Sequence, residues 1–392
     1  MTSRSISAAL FACTFAAWVP AGTTRADEPR VWTTRQITSL TATLGKVGGS
    51  EVTLVSPEKK EARVKLADLS LADREHLVAG GAADDQVLAL APVGVPEKEC
   101  RMDSRSFKAL PDKLALGRDS SDGLFSQLQS EHFLVAHAGR VRPQVVAEIA
   151  ERLWHGMAFQ HSHFRRDWGA RRRLIILCAD DDAYAALGRW YFAHLESGAV
   201  SHQDHERVRG EKVSWEVAAG RSISLPADLC QKENLHPEAT VFNAKDREYR
   251  KVFEAFPTNT LAGDLLRQQT GNRVLPGPRG RFAITTGHAF FKEILLAGKT
   301  ETHLLDTEGS LNELVTKAGF EDGTGWARLL KAGVKRGTIK PDFAALLEME
   351  LDSLTPEGLV LMYSLAYYCH STPARLLAYA RLVARLEDGK AV

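Results

Sequence analysis

The residues best suited to chemistry are histidines, and three groupings have ligand-like spacing: His161-x-His163, His202-x-x-His205 with Asp204, and His132 with His137. Neutral imidazole is the commonest metal ligand, so each grouping is a candidate site. His161 and His163 fall near the end of an expected helix, where positions i and i+2 do not share a face. His202 to Glu206 is a polar stretch read as a solvated loop, either an ordinary surface or an adventitious transition-metal site. His288 and Glu293 lie on another expected helix, about 140° apart in projection, too far round to chelate together. Other chemistries find less. There is no GxSxG elbow, no Gly-rich phosphate loop and no CxxC pair. The triplet Arg171-Arg172-Arg173 precedes an apolar run and reads as a solvated strand entry rather than a phosphate site. No cofactor and no metal are implied.

Two elements must position His288 and Glu293. An apolar helix carries Phe253, Phe256, Leu261, Leu265 and Leu266; a Gly/Pro loop runs from Gly271 to Gly280; a second helix carries Gly287, Ala289, Phe291 and Glu293. This layout resembles a gluzincin, a peptidase-MA-like domain. In that family the first helix bears HExxH, two His one turn apart on Zn²⁺ with a Glu general base between them. Its second helix supplies the third ligand in a W-x-x-E-G-x-A-x-Y-x-E context. Here the window Thr258 to Asp264 contains no His, and none occurs between Pro237 and Gly287. The degenerate positions are Asn259, Thr260 and Gly263 on the first helix and Thr286 on the second, where Glu is expected; Gly287, Ala289, Phe291 and Glu293 fit the context. The resemblance therefore implies a domain without its zinc ligands, with His288 and Glu293 as candidate cleft residues.

Around this centre the chain is ordinary in composition. It has 392 residues, 44% apolar and 25% charged, with 50 basic against 49 acidic side chains and a net charge of +1. That balance offers no electrostatic case for nucleic acid or an anionic membrane. Residues 1–26 have a basic start, an apolar run from Ile6 to Val19 and small residues before Asp27, the layout of a cleavable export signal. The rival reading, a membrane anchor, needs about 20 apolar residues and the run is shorter. Past the signal the expectation is no integral membrane segment and a location in the periplasm, cell envelope or outside the cell. Cys100, Cys178, Cys230 and Cys369 remain, and they allow either disulfides or, as for Cys178 at the end of an apolar run, buried thiols.

Residues 27–80 read as a compact β module, with alternation in Thr38 to Leu44 and Val52 to Leu54, a Gly48-Gly49 turn, and a short helix capped by Ser70. The motif Arg30-x-Trp32-Thr33, Val52-x-Leu54, then Val64-x-Leu66-x-x-Leu69-Ser70-x-x-Asp73 resembles the Sla homology domain one. That domain is an SH3-like small barrel known from an endocytic adaptor and common in exported bacterial proteins; in the adaptor it binds short peptides. The resemblance makes Trp32 the candidate contact residue of the module, the alternative being that it packs the barrel. Residues 81–129 read as a linker with one short strand at Val87 to Leu90, and 130–392 as the gluzincin-like domain, opening strand, helix, strand, helix and ending in helices. RRRLIILC, residues 171–178, reads as a strand buried on both faces.

The expected fold is therefore α+β: a small N-terminal SH3-like β-barrel, then an α/β zincin-like domain with a helical C-terminal part. The expected function is an exported, non-catalytic protein-binding or scaffold protein, a pseudo-metallopeptidase fused to a peptide-binding type of module. Its partner would be a protein or peptide, or copies of itself, and not nucleic acid. The alternative is a hydrolase or peptidase using a non-standard metal or acid/base site.

Overall fold

The computed structural model describes residues 28–387 except 38, 92, 117–123, 163, 165–170, 218, 246, 248, 270–279 and 303–322. The expected export signal at residues 1–26, the loop 271–279, a helix expected at 311–318 and His163 lie outside the described residues.

The chain is α+β. Its N-terminal sheet has the order β1 (Arg30–Trp32), β2 (Leu40–Gly48), β3 (Glu51–Val55), β4 (Glu61–Lys65), antiparallel throughout. The expected closed barrel is not formed. β1 and β4 are both edges, and the chain returns to the first edge only through a single bridge between Thr34 and Leu69. Helix α1 (Leu71–Ala79) closes the open side, its start fixed by Ser70, whose hydroxyl accepts from the Asp73 amide. Asp73 is fully buried and accepts from the Thr33 amide at 2.7 Å, the Ser70 hydroxyl at 2.7 Å and Arg30 at 2.8 Å. Trp32 is 0% exposed, at the centre of a core with Val52, Leu54, Leu66 and Leu77.

The stretch 81–129 is more structured than a linker. Val87 lies in a 3-10 turn, not a strand. Helix α2 (Pro96–Glu99) follows, then strands β5 (Lys108–Ala115) and β6 (Leu124–Gln129), which belong to the large sheet. β5 was hidden by its composition: Lys108, Pro111, Asp112 and Lys113 are what an exposed sheet edge carries to prevent further pairing.

The large sheet adds β7 (Phe133–Ala138), β8 (Arg172–Cys178), β9 (Gly220–Ser224) and β10 (Leu235–Asn243) in the order β5-β6-β7-β8-β10-β9. β7, β8 and β10 are mutually parallel, and β9 is an antiparallel edge. β8 alternates between two cores, as a doubly buried strand must. Ile175 and Leu177 face α3 (Pro143–Gln160) and α7 (Ala255–Gln269); Leu174, Ile176 and Cys178 face α4 (Asp181–Gly198) and α5 (His202–Val217). Asp180 caps α4 by accepting from the Ala183 amide. A short helix α6 (Ala227–Lys232) links β9 to β10.

Helix α8 (Arg281–Ala297) lies against α7 and packs on the C-terminal helices α9 (Gly323–Arg336), α10 (Phe343–Leu347) and α11 (Pro356–Cys369), while α12 (Pro373–Glu387) joins the core of α3 and α7 and meets α8 through Tyr379 and the Leu386 carbonyl. Among the described residues Cys100, Cys178, Cys230 and Cys369 are free thiols, and the first three are buried. Among the described residues no helix is long and apolar enough to cross a membrane.

Candidate functional site

The two helices of the organising stretch pack closely. Gly263 has no side chain where α7 meets α8, and a Cβ there would lie 3.4 Å from that of Ala289. One turn away along each helix, Asn259 donates from Nδ2 to Glu293 Oε2 at 2.8 Å. Glu293 then accepts from the Thr300 hydroxyl at 2.9 Å, the Glu301 amide at 2.7 Å and the Thr302 hydroxyl at 3.0 Å. Its carboxyl is 0% exposed, and burial raises its pKa to about 7, although these four donors each pull it down. Thr258 returns its hydroxyl to the Glu254 carbonyl, Thr286 is buried in the helix interior, and Thr260 is only partly covered. Two of the degenerate positions, Asn259 and Gly263, are thus spent on holding the helices together.

A second polar knot fixes α7 to the sheet. Asp264 accepts from the Thr240 hydroxyl at 2.6 Å, the Ser222 hydroxyl at 2.7 Å, Arg173 at 3.3 Å and Arg267. Burial alone would raise its pKa; Arg267, Arg173 and the hydroxyl donors more than offset that, and the net shift is downward. Arg173 is buried, so the expectation of a solvated Arg171–Arg173 strand entry is corrected at this residue, which is an interior cation.

The third cluster contains His288. On α8 it sits one turn from Lys292, whose ammonium bonds Glu97 of α2 and, at 3.2 Å, the Gln160 side-chain oxygen of α3. Glu97 reaches this place through a notch at Gly156, where an added Cβ would lie 2.1 Å from its Oε1. His161 at the end of α3, His370 just past α11, and Tyr379 of α12 complete the chamber. His161 and Tyr379 have ring centroids 5.7 Å apart, His370 and Tyr379 4.9 Å, and His288 and His370 5.9 Å. The Tyr379 hydroxyl and His288 Nδ1 share a hydrogen bond at 3.3 Å, and His370 Nδ1 donates to the Ala366 carbonyl at 2.8 Å. Burial, then the Lys292 charge, lower the pKa of His161 to about 3 and hold those of His288 and His370 well below 6.5. Tyr379 is pushed up by burial. Among the described residues, Glu97 Oε2, both ring nitrogens of His161 and His370 Nε2 find no hydrogen-bond partner.

The structure separates the residues that spacing had grouped. His161 is interior. His202 and His205 lie on helix α5 rather than in a loop; this helix is polar on nearly all sides, which hid it, and is held by Trp215 and Val208. His132 bonds Glu151 at 2.7 Å and stacks on Trp154. Trp32 donates from its indole to the Ala42 carbonyl at 3.0 Å inside the β module, so it is a core residue and not a surface contact. His288, 1% exposed, and Glu293 face the protein interior rather than an open groove. Among the described residues no three His, Cys, Asp or Glu side chains converge to hold a metal ion. Spacing missed Glu97, Gln160, Lys292 and Tyr379; the available signal was Lys292 itself, a charge among Phe290, Phe291, Ile294 and Leu295.

Compared with known proteins, the chain matches no family model, no curated protein and no solved structure.

Proposed function

We propose that the chain is an exported, non-catalytic binding or scaffold protein, built from a gluzincin-like α/β body without zinc ligands and a Sla-type β module. The observation that carries this reading is the Asn259 to Glu293 hydrogen bond. A zinc hydrolase needs imidazole and carboxylate donors converging on an open position where water is activated. Here amide and hydroxyl donors fill that seam, and the one carboxyl on it is saturated by protein hydrogen bonds. The paired helices α7 and α8, preceded by the parallel strands β7, β8 and β10, support the gluzincin ancestry.

The partner is a protein or peptide, or a second copy of the chain. In the β module the exposed apolar side chains are Val31 and Ile37, 42% and 45% accessible, and they replace Trp32 as the contact surface. The second reading, a hydrolase with other acid and base groups, draws on the three clustered imidazoles around Tyr379. Metal analysis of the mature protein, purified without a His tag and dialysed against a weak chelator, separates these readings alongside a broad peptide-cleavage screen. Sub-stoichiometric zinc and no cleavage, with peptides retained by the wild type but not by a Val31→Asp, Ile37→Asp variant, is the expected result. One tightly held zinc per chain, or cleavage abolished by His288→Ala, would overturn the proposal.

A further inference from the structure

The segment 96–101 does more than connect. Helix α2 is a single turn, too short to be stable by its own hydrogen bonds, and side chains hold it in place. Glu97 enters the interior to meet Lys292; Lys98 donates to the Leu295 carbonyl at 3.0 Å; Glu99 pairs with Arg35 of the β module. Arg152 of α3 donates to the Glu97 and Cys100 carbonyls at 3.0 and 2.7 Å. The Arg101 amide donates to the Gln36 carbonyl, and His155 meets the Arg35 carbonyl, both at 2.9 Å. α2 is thus held between the module and the body, and its deepest contact ends in the chamber of His161 and His370.

We propose that this chamber is an acid-operated bolt: proton uptake by His161 and His370 beside Lys292 expels α2 and loosens the β module from the α/β body. The groups that face one another are Glu97 from α2, Gln160 and His161 from α3, His288 and Lys292 from α8, His370 and Cys369 from the end of α11, and Tyr379 from α12. With the imidazoles neutral, the chamber holds one cation and one carboxylate. Each added proton places a further positive charge beside Lys292, with no second carboxylate among the described residues there to answer it and little water to screen it. The unpartnered nitrogens of His161 and His370 are where those protons go. His288 is less available, because its Nδ1 is already engaged with the Tyr379 hydroxyl. Opening α2 exposes the imidazoles to water, where they titrate near their ordinary value, about 6.5. Each pH unit below that favours the open form about tenfold per imidazole, about a hundredfold for the pair. The least self-sufficient element gives way first, which is α2.

Hydrogen exchange of the full chain between pH 7.5 and 4, corrected for intrinsic exchange rates, tests this directly. The expected result is that amides 97–101 lose protection at least one pH unit above β7 and β8, with opening growing about a hundredfold per pH unit. In His161→Leu, His370→Leu that steepness should fall below about threefold per unit. Gly156→Ala, which crowds Glu97 from its notch, should expose the same amides at pH 7.5. Simultaneous loss of protection in 97–101 and β8 would overturn the proposal in the wild type alone, whether or not the double variant folds. Unchanged steepness in a folded double variant would overturn it equally.

Discussion

Replacing Glu293 by Gln, which has the same shape and cannot ionise, should make the protein more stable than wild type as pH rises. Burial raises the pKa of this carboxyl from 4.5 to about 7. Between those values the folded protein keeps a proton that the unfolded chain has released. The stability linked to Glu293 is therefore fully present below pH 4.5 and is lost as pH rises through 7. From pH 5.5 to pH 8.5 the loss spans about 1.5 pH units at about 1.36 kcal/mol each, or about 2 kcal/mol. The assay is urea unfolding of both proteins at both pH values, read as the difference between them, so that every other titrating group cancels. At pH 5.5 the two should be nearly equal, because the protonated carboxyl and the amide fill the same space, each with one accepting oxygen and one donating group toward which the Thr300 hydroxyl and the Asn259 amide oxygen can turn. By pH 8.5 the variant should lead by about 2 kcal/mol, as the pKa argument requires. A difference that stays constant within about 0.5 kcal/mol, the usual scatter for an uninvolved site, would refute the claim that Glu293 is enclosed at the seam.

Three further outcomes follow from burial and close approach. Trp32→Ala should cost about 3–5 kcal/mol in urea unfolding, while Val31→Ala beside it stays within about 0.5 kcal/mol; equal effects would place Trp32 at the surface. Asp264→Asn leaves Arg173 charged in the interior and should cost about 3–5 kcal/mol, part of which Arg173→Met recovers; no recovery would show that the two do not share a site. Gly287→Ala puts a Cβ 2.2 Å from the Met362 carbonyl, where backbone must move, so it should destabilise far more than Gly263→Ala, whose nearest neighbour is 3.4 Å away. Comparable thermal melts for the two variants would show that α8 and α11 do not approach so closely.

How much could be read from the sequence depended on whether the signal was local. The doubly buried β8 announces itself in an unbroken apolar run, and Ser70 and Asp180 cap helices by short-range geometry. β5 was illegible because an edge strand is protected by residues that also make loops. Helix α5 was illegible because its polar residues give no stripe, and two buried side chains suffice to dock it. The vacancies at Asn259 and Thr286 could be seen one by one. That Asn259 and Glu293 would satisfy each other could not, since the pairing depends on how two helices separated by a loop lie together.

Lys292 and Glu293 show the same limit most sharply. Adjacent on α8, they project about 100° apart and so leave the helix in different directions. Glu293 points to α7 and meets four uncharged donors, which lower its pKa too little to cancel burial. Lys292 points to α2 and meets a full carboxylate from a residue 195 positions away. Both are enclosed on a helix whose other faces press on α11 and on the apolar core, so neither charge can reach water by a change of rotamer. A carboxyl in such a place can lower its cost by keeping a proton; an ammonium facing a carboxylate has its compensation only while that partner stays. The α2 contact is therefore the one on which the enclosure of Lys292 depends, and displacing Glu97 from the Gly156 notch leaves a buried cation beside three imidazoles. On the proposal above, opening therefore starts in the segment that reads, by composition alone, as a linker.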